Sequence, residues 1–348
     1  MTSNDPGHID NLSPEQEETL RTFWIDLATS LSSQPDPTTL TEELYLACAE
    51  HRPDTFVLRY LRARKWDVTK AVAMTVATLK WRLEFGVNEV LKEGERACDV
   101  ADLESGKSYY GNGSDRDGRP VAYIHVALHD KNTVNHDLGK NQIVLTLETG
   151  RLLLQPPQEM ATIVFDLTNF GMKNMDYEFL KFLLQCMQDF YPESLGKALV
   201  VNAPWVFNGC WVVIKPWIDP VVVSKIQFVK MDELPDFIDS AKLPQALGGD
   251  AVDYEYIPAS EEDEKEFKRL RADTEGQEKA WKGFRGAYAA FEDATRLWAG
   301  GDTAKVGERK KAEKELRAAY DTLSPYIRTR TEAHRRGLLK DPAFPPHA

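Results

Sequence analysis

The sequence is poor in cysteine: Cys48, Cys98, Cys186 and Cys210 are the only four in 348 residues, and no two share a CxxC spacing. That density excludes a disulfide scaffold, and the spacing argues against a zinc ribbon. The thiols read as small apolar core residues of a reducing compartment. Basic side chains are outnumbered, 43 Lys and Arg against 55 Asp and Glu, for a net charge of −12. A general nucleic-acid binder is therefore not expected. No apolar run is clean enough to span a bilayer. The greasiest stretch, Pro204–Val223 (PWVFNGCWVVIKPWIDPVVV), is interrupted by Asn208, Lys215, Asp219 and three prolines. The opening MTSNDPGHID is polar and acidic, unlike a signal or transit peptide.

Catalytic motifs are missing too. There is no GxxxxGK[ST], GxSxG or HExxH. Gly111, Gly113 and Gly118 precede a strand, whereas a phosphate-cradling loop follows one, so they read as hairpin glycines. His125 and His129 fall on a strand and its exit and share no helix face. They are expected to make ordinary hydrogen bonds rather than bind metal. Asp166 ends an apolar strand and is expected to cap the turn that follows. Nothing assembles into a nucleophile, base and orienter, which predicts no catalytic residue, no metal site, no cofactor and no enzyme.

What is present is an uneven charge and a change of texture along the chain. Residues 1–50 carry ten acidic side chains and one basic one, Arg21, whereas residues 51–82 carry eight basic and two acidic. A short helix over Pro14–Leu31 is followed by the breaker run SSQPDPTT. Helical periodicity then runs from Leu44 to Val90, with Val72, Val76, Leu79 and Leu83 on one face. Thr69 is the expected N-cap of that face and Gly86 its terminator. From Tyr109 turn formers give way to short β-branched runs, VAYIHVAL, ATIVFDL, ALVVNAP and KIQFVK, separated by helical stretches at Val144–Leu154, Tyr177–Phe190 and Val206–Ile218. Alternation of this kind predicts an α/β fold with a mixed, mainly parallel sheet behind a helical N-lobe. Beyond Pro258 the chain turns charged and helical. Trp281, Phe284, Tyr288 and Phe291, then Leu316, Tyr320 and Leu323, mark a helical hairpin packing on the core or on a partner. The division expected is an acidic extension (1–43), a helical domain (44–97), a sheet domain (98–256) and a helical C-terminal extension (257–348).

Two helices are apolar nearly all round. Tyr177–Phe190 carries Leu180, Leu183, Leu184 and Met187, and Val206–Ile218 carries Phe207, Trp211, Ile214, Trp217 and Ile218. A helix greasy on every side is buried, meets a membrane or lines an apolar cavity. For the second, Trp205, Trp211 and Trp217 together with Lys215 favour a surface that touches lipid headgroups.

Five ordered motifs now meet a known pattern: LRYLRARKWDV (Leu58–Val68), DRDGRPV (Asp115–Val121), FYPESLGK (Phe190–Lys197), NAPWVF (Asn202–Phe207) and DPVVVSKI (Asp219–Ile226). In this order they resemble the CRAL-TRIO lipid-binding family with its N-terminal helical companion, and within it the fungal phosphatidylinositol transfer proteins, over about residues 44–256. The resemblance implies helices walling an apolar lipid cavity, lined here by Leu180, Leu183, Leu184 and Met187. It implies a mobile gate helix that meets the membrane through Phe207, Trp211, Ile214, Trp217 and Ile218. The family's headgroup site falls on Arg64, Glu193 and Lys225: two cations suit a phosphodiester and a carboxylate suits inositol hydroxyls. With no lipid bound, Glu193 and Lys225 would be expected to pair.

The implied activity is transfer of phosphatidylinositol between membranes by a cytoplasmic protein transiently peripheral to endomembranes (endoplasmic reticulum, Golgi, endosome), with the lipid as cargo and a lipid kinase or other protein reading the C-terminal helices. This chain departs from the pattern at Ser194, where the family has arginine, and at Val222, where it has threonine. Its Gly171 and Met187 stand where hydroxyls hold a choline headgroup. These departures keep open the alternative of a binder or sensor of another hydrophobic ligand, a sterol, isoprenoid or haem.

Overall fold

The computed structural model describes residues 6–154 and 156–340. The first three helices open on proline: α1 (Pro14–Ser32), α2 (Pro37–Cys48) and α3 (Pro53–Ala63). At the first helical turn the missing N–H has no intrahelical partner to lose, and the fixed φ is already helical. The run read as a breaker is thus a break of only four residues before α2. Next comes α4 (Val68–Phe85), capped not by Thr69 but by Asp67, whose carboxylate accepts from the Lys70 amide at 3.0 Å. Gly86 ends α4 in the left-handed region, at φ 81°, as its sequence position predicted.

The chain continues through α5 (Val87–Glu93), α6 (Val100–Glu104), β1 (Ser108–Ser114), β2 (Pro120–His125), α7 (His136–Leu153) and β3 (Ala161–Asp166). Then follow α8 (Tyr177–Gln185), β4 (Leu195–Val201), α9 (Phe207–Ile214), α10 (Pro220–Ser224) and β5 (Ile226–Val229). The C-terminal part supplies α11 (Glu261–Ala272), α12 (Thr274–Ala299), α13 (Val306–Ile327) and the single turn α14 (Glu332–Arg335). Among the described residues no helix is long and apolar enough to cross a membrane.

These elements form two compact units that differ from the four-segment division above. One takes in the described residues up to Lys92 together with Ala259–Arg330; the other is Glu93–Pro258 with Thr331–Leu339. The reason is a shared core in the helical unit. The acidic N-terminal segment is no loose extension, because α1 buries Leu20, Phe23, Trp24, Leu27 and Leu31. The C-terminal helices bury Phe284, Phe291, Trp298, Leu316, Tyr320 and Leu323 in the same cluster. Phe291 meets Trp24 and Tyr45 edge-on, each at 6.1 Å between centroids. The aromatic stripe of α12 is therefore spent on the chain's own core.

The sheet unit holds five strands in the order β1-β2-β3-β4-β5, with β1 antiparallel to β2 and the remaining pairs parallel. Alternation along the strands sorts two apolar layers. Val164, Leu199 and Val201 join Tyr109, Val121 and Tyr123 under Leu234, Ile238, Leu243 and Leu247. Phe165 and Val200 belong to the other layer, with Leu167, Phe170, Cys210, Ile214 and Ile218. Helix α7 approaches β1 closely at Gly150, where a Cβ would stand 2.2 Å from the Tyr110 hydroxyl. All four cysteines are free and buried.

Candidate functional site

The second apolar layer is the candidate site, and its wall begins at α8. Asp176 caps this helix, its Oδ1 accepting from the Phe179 amide at 3.0 Å. Its Oδ2 also lies 3.2 Å from His129 Nε2 and 2.9 Å from His136 Nε2. Burial pushes the Asp176 carboxyl up, but the Phe179 amide and the two imidazoles outweigh it and hold the group below the ordinary carboxylate range. Burial conversely lowers His129. His125 likewise meets a carboxylate, Asp166, at 3.1 Å, and Asp166 accepts from both the amide and the hydroxyl of Thr168. These are ordinary hydrogen bonds and a capped turn, and among the described residues no cluster of His, Cys, Asp or Glu could hold a metal ion.

Beyond Gln185 the helix widens into one π turn, Cys186–Phe190. Leu180, Leu183, Leu184 and Met187 recur at three, four and seven, and so share a face. All four are only half-buried, and Leu180 and Leu184 pack on the layer that contains Val200 and Ile214. No residue of α8 is fully buried despite its apolar composition.

The cover follows as α9, the single 3-10 turn Lys215–Trp217 and α10. Cys210, Ile214 and Ile218, four apart, are the buried stripe of this segment. Phe207, Trp211 and Trp217 are half-buried and pack on the same layer, Phe207 edge-on to Phe170 at 5.5 Å and Trp217 to Tyr177 at 5.6 Å. Thus the five residues singled out in the sequence form the inner side of the cover. Its outer side is a different set, Trp205 (85% exposed), Val212 (73%), Val213 and Val221. Composition alone could not separate the two, because nearly every position is apolar; the four-residue step from Cys210 to Ile214 to Ile218 was the available signal. Gln188, on the π turn, ties down the far end: its amide donates to the Trp217 carbonyl at 3.3 Å and its oxygen accepts from the Asp219 amide at 2.7 Å. Sequence reading missed that clamp.

The expected headgroup residues are distributed as follows. Arg64 is the C-cap of α3, in the helical unit. Glu193 and Lys225 belong to the sheet unit, both half-buried. Glu193 adopts φ 55°, in the left-handed region. Lys225 caps α10, and its Nζ donates to the Leu195 carbonyl at 2.8 Å. Of the departures, Val222 packs on the apolar layer, and the Ser194 hydroxyl donates back to the Tyr191 carbonyl at 2.6 Å. Gly171 has no side chain to offer; its amide donates to Asn174 Oδ1 at 2.7 Å and its carbonyl accepts from the Asn174 amide at 2.9 Å.

The chain that builds this apolar layer is similar to known proteins. Residues 103–249 match the CRAL/TRIO domain, and residues 11–76 the CRAL/TRIO N-terminal domain. A CRAL-TRIO domain-containing protein of Schizosaccharomyces pombe is 36% identical over 326 residues, spanning 90% of this chain and 72% of that protein. Phosphatidylinositol transfer protein CSR1 of Eremothecium gossypii is 35% identical over 345 residues, spanning 94% and 77%. A solved structure, that of Sfh5, covers 63% of this chain and 83% of its own at 17% identity, with a TM-score of 0.51, a likeness of fold alone. With both domains matched and relatives aligned along most of its length, the chain belongs to the CRAL/TRIO family.

Proposed function

We propose that this protein carries phosphatidylinositol between membranes, sheltering the acyl chains against the α8 wall while the segment from Phe207 to Ile218 opens and closes over them. The observation that carries the reading is the pairing of an apolar helix with no fully buried residue and a cover that is greasy on both sides. The inner side suits acyl chains, and the outer side, led by Trp205, suits a bilayer interface.

The energetics explain why a carrier needs no covalent chemistry. At roughly 0.8 kcal/mol per CH₂, exposing two acyl chains to water costs on the order of 20 kcal/mol, so desorption is slow. A cavity that receives the chains at the membrane removes most of that barrier. Lys225 supplies a cation for the phosphodiester and Glu193 an acceptor for inositol hydroxyls. Arg64, in the helical unit, is the third headgroup residue that the resemblance names. A partner reading the C-terminal helices would meet their charged outer face, since the apolar stripe is already buried.

Radiolabelled phosphatidylinositol transfer between vesicles tests this, comparing the wild type with Glu193→Ala/Lys225→Ala. Transfer should fall at least tenfold, about 1.4 kcal/mol; unchanged transfer rejects the headgroup assignment.

One observation favours a second reading, a carrier of a less polar ligand. Val222 lies among apolar side chains and the Ser194 hydroxyl donates to the Tyr191 carbonyl, leaving fewer polar groups for a headgroup. Native mass spectrometry of the purified protein discriminates. A phosphatidylinositol adduct supports the first reading, and a sterol or isoprenoid mass the second.

A further inference from the structure

The chain between the π turn and β4 is held at several points around a single strained residue. Upstream, Tyr191 is buried, and its hydroxyl donates at 2.8 Å to Glu148, a carboxylate of α7 with no solvent exposure. Arg151 fixes the other oxygen of that carboxylate through Nε at 3.1 Å and Nη2 at 2.9 Å. Downstream, the Ser194 carbonyl accepts from the Ala161 amide at 2.8 Å, and the Leu195 carbonyl from Lys225 Nζ at 2.8 Å. The Ser194 hydroxyl closes the span by donating to the Tyr191 carbonyl at 2.6 Å. Within it stands Glu193 at φ 55°.

A glutamate has no glycine-like freedom, so a left-handed backbone strains it. Such a conformation persists only where its surroundings over-determine it. It also decides the direction in which the Glu193 side chain leaves the chain. We infer that Ser194 and Tyr191 are positioning residues for headgroup selection, locking Glu193 in its left-handed conformation so that its carboxylate is preorganised for a polyol headgroup. This rests on the reading of Glu193 as a headgroup ligand. It changes the meaning of Ser194: where the family's arginine would be a contact, this chain has a turn lock. A lock of this kind acts through the fraction of molecules already competent to bind, and its loss raises the apparent Kd by the reciprocal of that fraction.

The test uses the full chain and two probes, phosphatidylinositol and a pyrene-labelled fatty acid that lacks the inositol phosphate. Ser194→Ala and Tyr191→Phe should each weaken phosphatidylinositol binding by about five- to tenfold. Fatty-acid binding should stay at wild-type values for both. Ser194→Ala should keep the wild-type melting temperature, and Ser194→Thr, which keeps the hydroxyl, should restore affinity. Tyr191→Phe, which leaves a buried Glu148 oxygen without its donor, should lower the melting temperature as well. On a Glu193→Ala background Ser194→Ala should add nothing, since the group it positions is gone. Equal loss for both probes, or a melting temperature lowered by Ser194→Ala that Ser194→Thr does not rescue, would show a merely structural role and overturn the inference. Weakening by Glu193→Ala but not by Ser194→Ala or Tyr191→Phe overturns the lock alone. No effect of Glu193→Ala overturns the ligand reading beneath it.

Discussion

Arg309 grips Asp54 with both arms of its guanidinium, Nη1 to Oδ2 at 2.7 Å and Nη2 to Oδ1 at 2.6 Å, across 255 residues of sequence. The pair is buried, and Trp24 Nε1 donates to the same carboxylate at 2.8 Å while Arg309 Nε reaches Thr295 at 3.0 Å. The guanidinium also lies 4.3 Å from the Trp298 ring centroid. One ion pair thereby joins α3 to α13.

Breaking that pair from one side should be costly, because it strands a buried charge. Arg309→Met is expected to destabilise the protein by roughly 3–5 kcal/mol, whereas Arg309→Met/Asp54→Leu should be milder. Urea unfolding of the helical unit's signal checks both. Burial alone would raise the Asp54 carboxyl, but Arg309 and Trp24 outweigh it and hold the group below its ordinary value. Its contribution is therefore present near neutrality and lost as pH falls through the lowered folded value. The single mutant should accordingly show a shallower acid limb than the wild type.

Gly86→Ala isolates a backbone effect. Nothing lies within 4 Å of a Cβ built there, so the cost arises from φ 81° alone. The expected loss is about 1 kcal/mol, read as a lower urea midpoint with unchanged slope.

Trp205 and Val212 should separate membrane contact from folding. Both are exposed, so Trp205→Ala and Val212→Asp should each leave stability within about 0.5 kcal/mol of the wild type. Co-sedimentation with phospholipid vesicles should nevertheless fall for each. Full vesicle binding by the pair of substitutions would remove the outer side of the cover from the transfer mechanism.

Glu332 predicts a pH response in the returning C-terminal segment. Burial pushes its carboxyl from the ordinary 4.5 up to about 7, with Arg336 opposing and Glu95 adding to the rise. A raised folded value means that the docked form holds its proton where the undocked form has lost it. Docking is therefore favoured most below pH 4.5, and that advantage is lost as pH rises through about 7. Hydrogen exchange corrected for intrinsic rates should show weaker protection of residues 331–339 at pH 8 than at pH 6, and Glu332→Gln should flatten the difference.

The sheet was legible because short β-branched runs and helical patterns alternate with clear punctuation, and every parallel strand overlaps one of those runs. The helix that carries Leu180, Leu183, Leu184 and Met187 was legible as an apolar run, and their shared face follows from their positions along it. The sides of the cover were not, since a segment apolar at nearly every position carries no periodic contrast. Nor was the lock at Glu193: Ser194 and Tyr191 meet through a backbone carbonyl, and the Tyr191 hydroxyl through Glu148, a residue 43 positions away.

By itself the sequence determined the secondary elements, the class of fold and the greasy character of α8 and the cover. Each of these follows from local spacing, turn chemistry and capping. Only the tertiary structure decided that the acidic N-terminal helices and the C-terminal hairpin share one core, with the buried Asp54–Arg309 pair linking them. It alone also decided which side of the cover is buried and that the Ser194 hydroxyl bonds the Tyr191 carbonyl. Those outcomes depend on which distant surfaces exclude water together, and no local pattern encodes that choice.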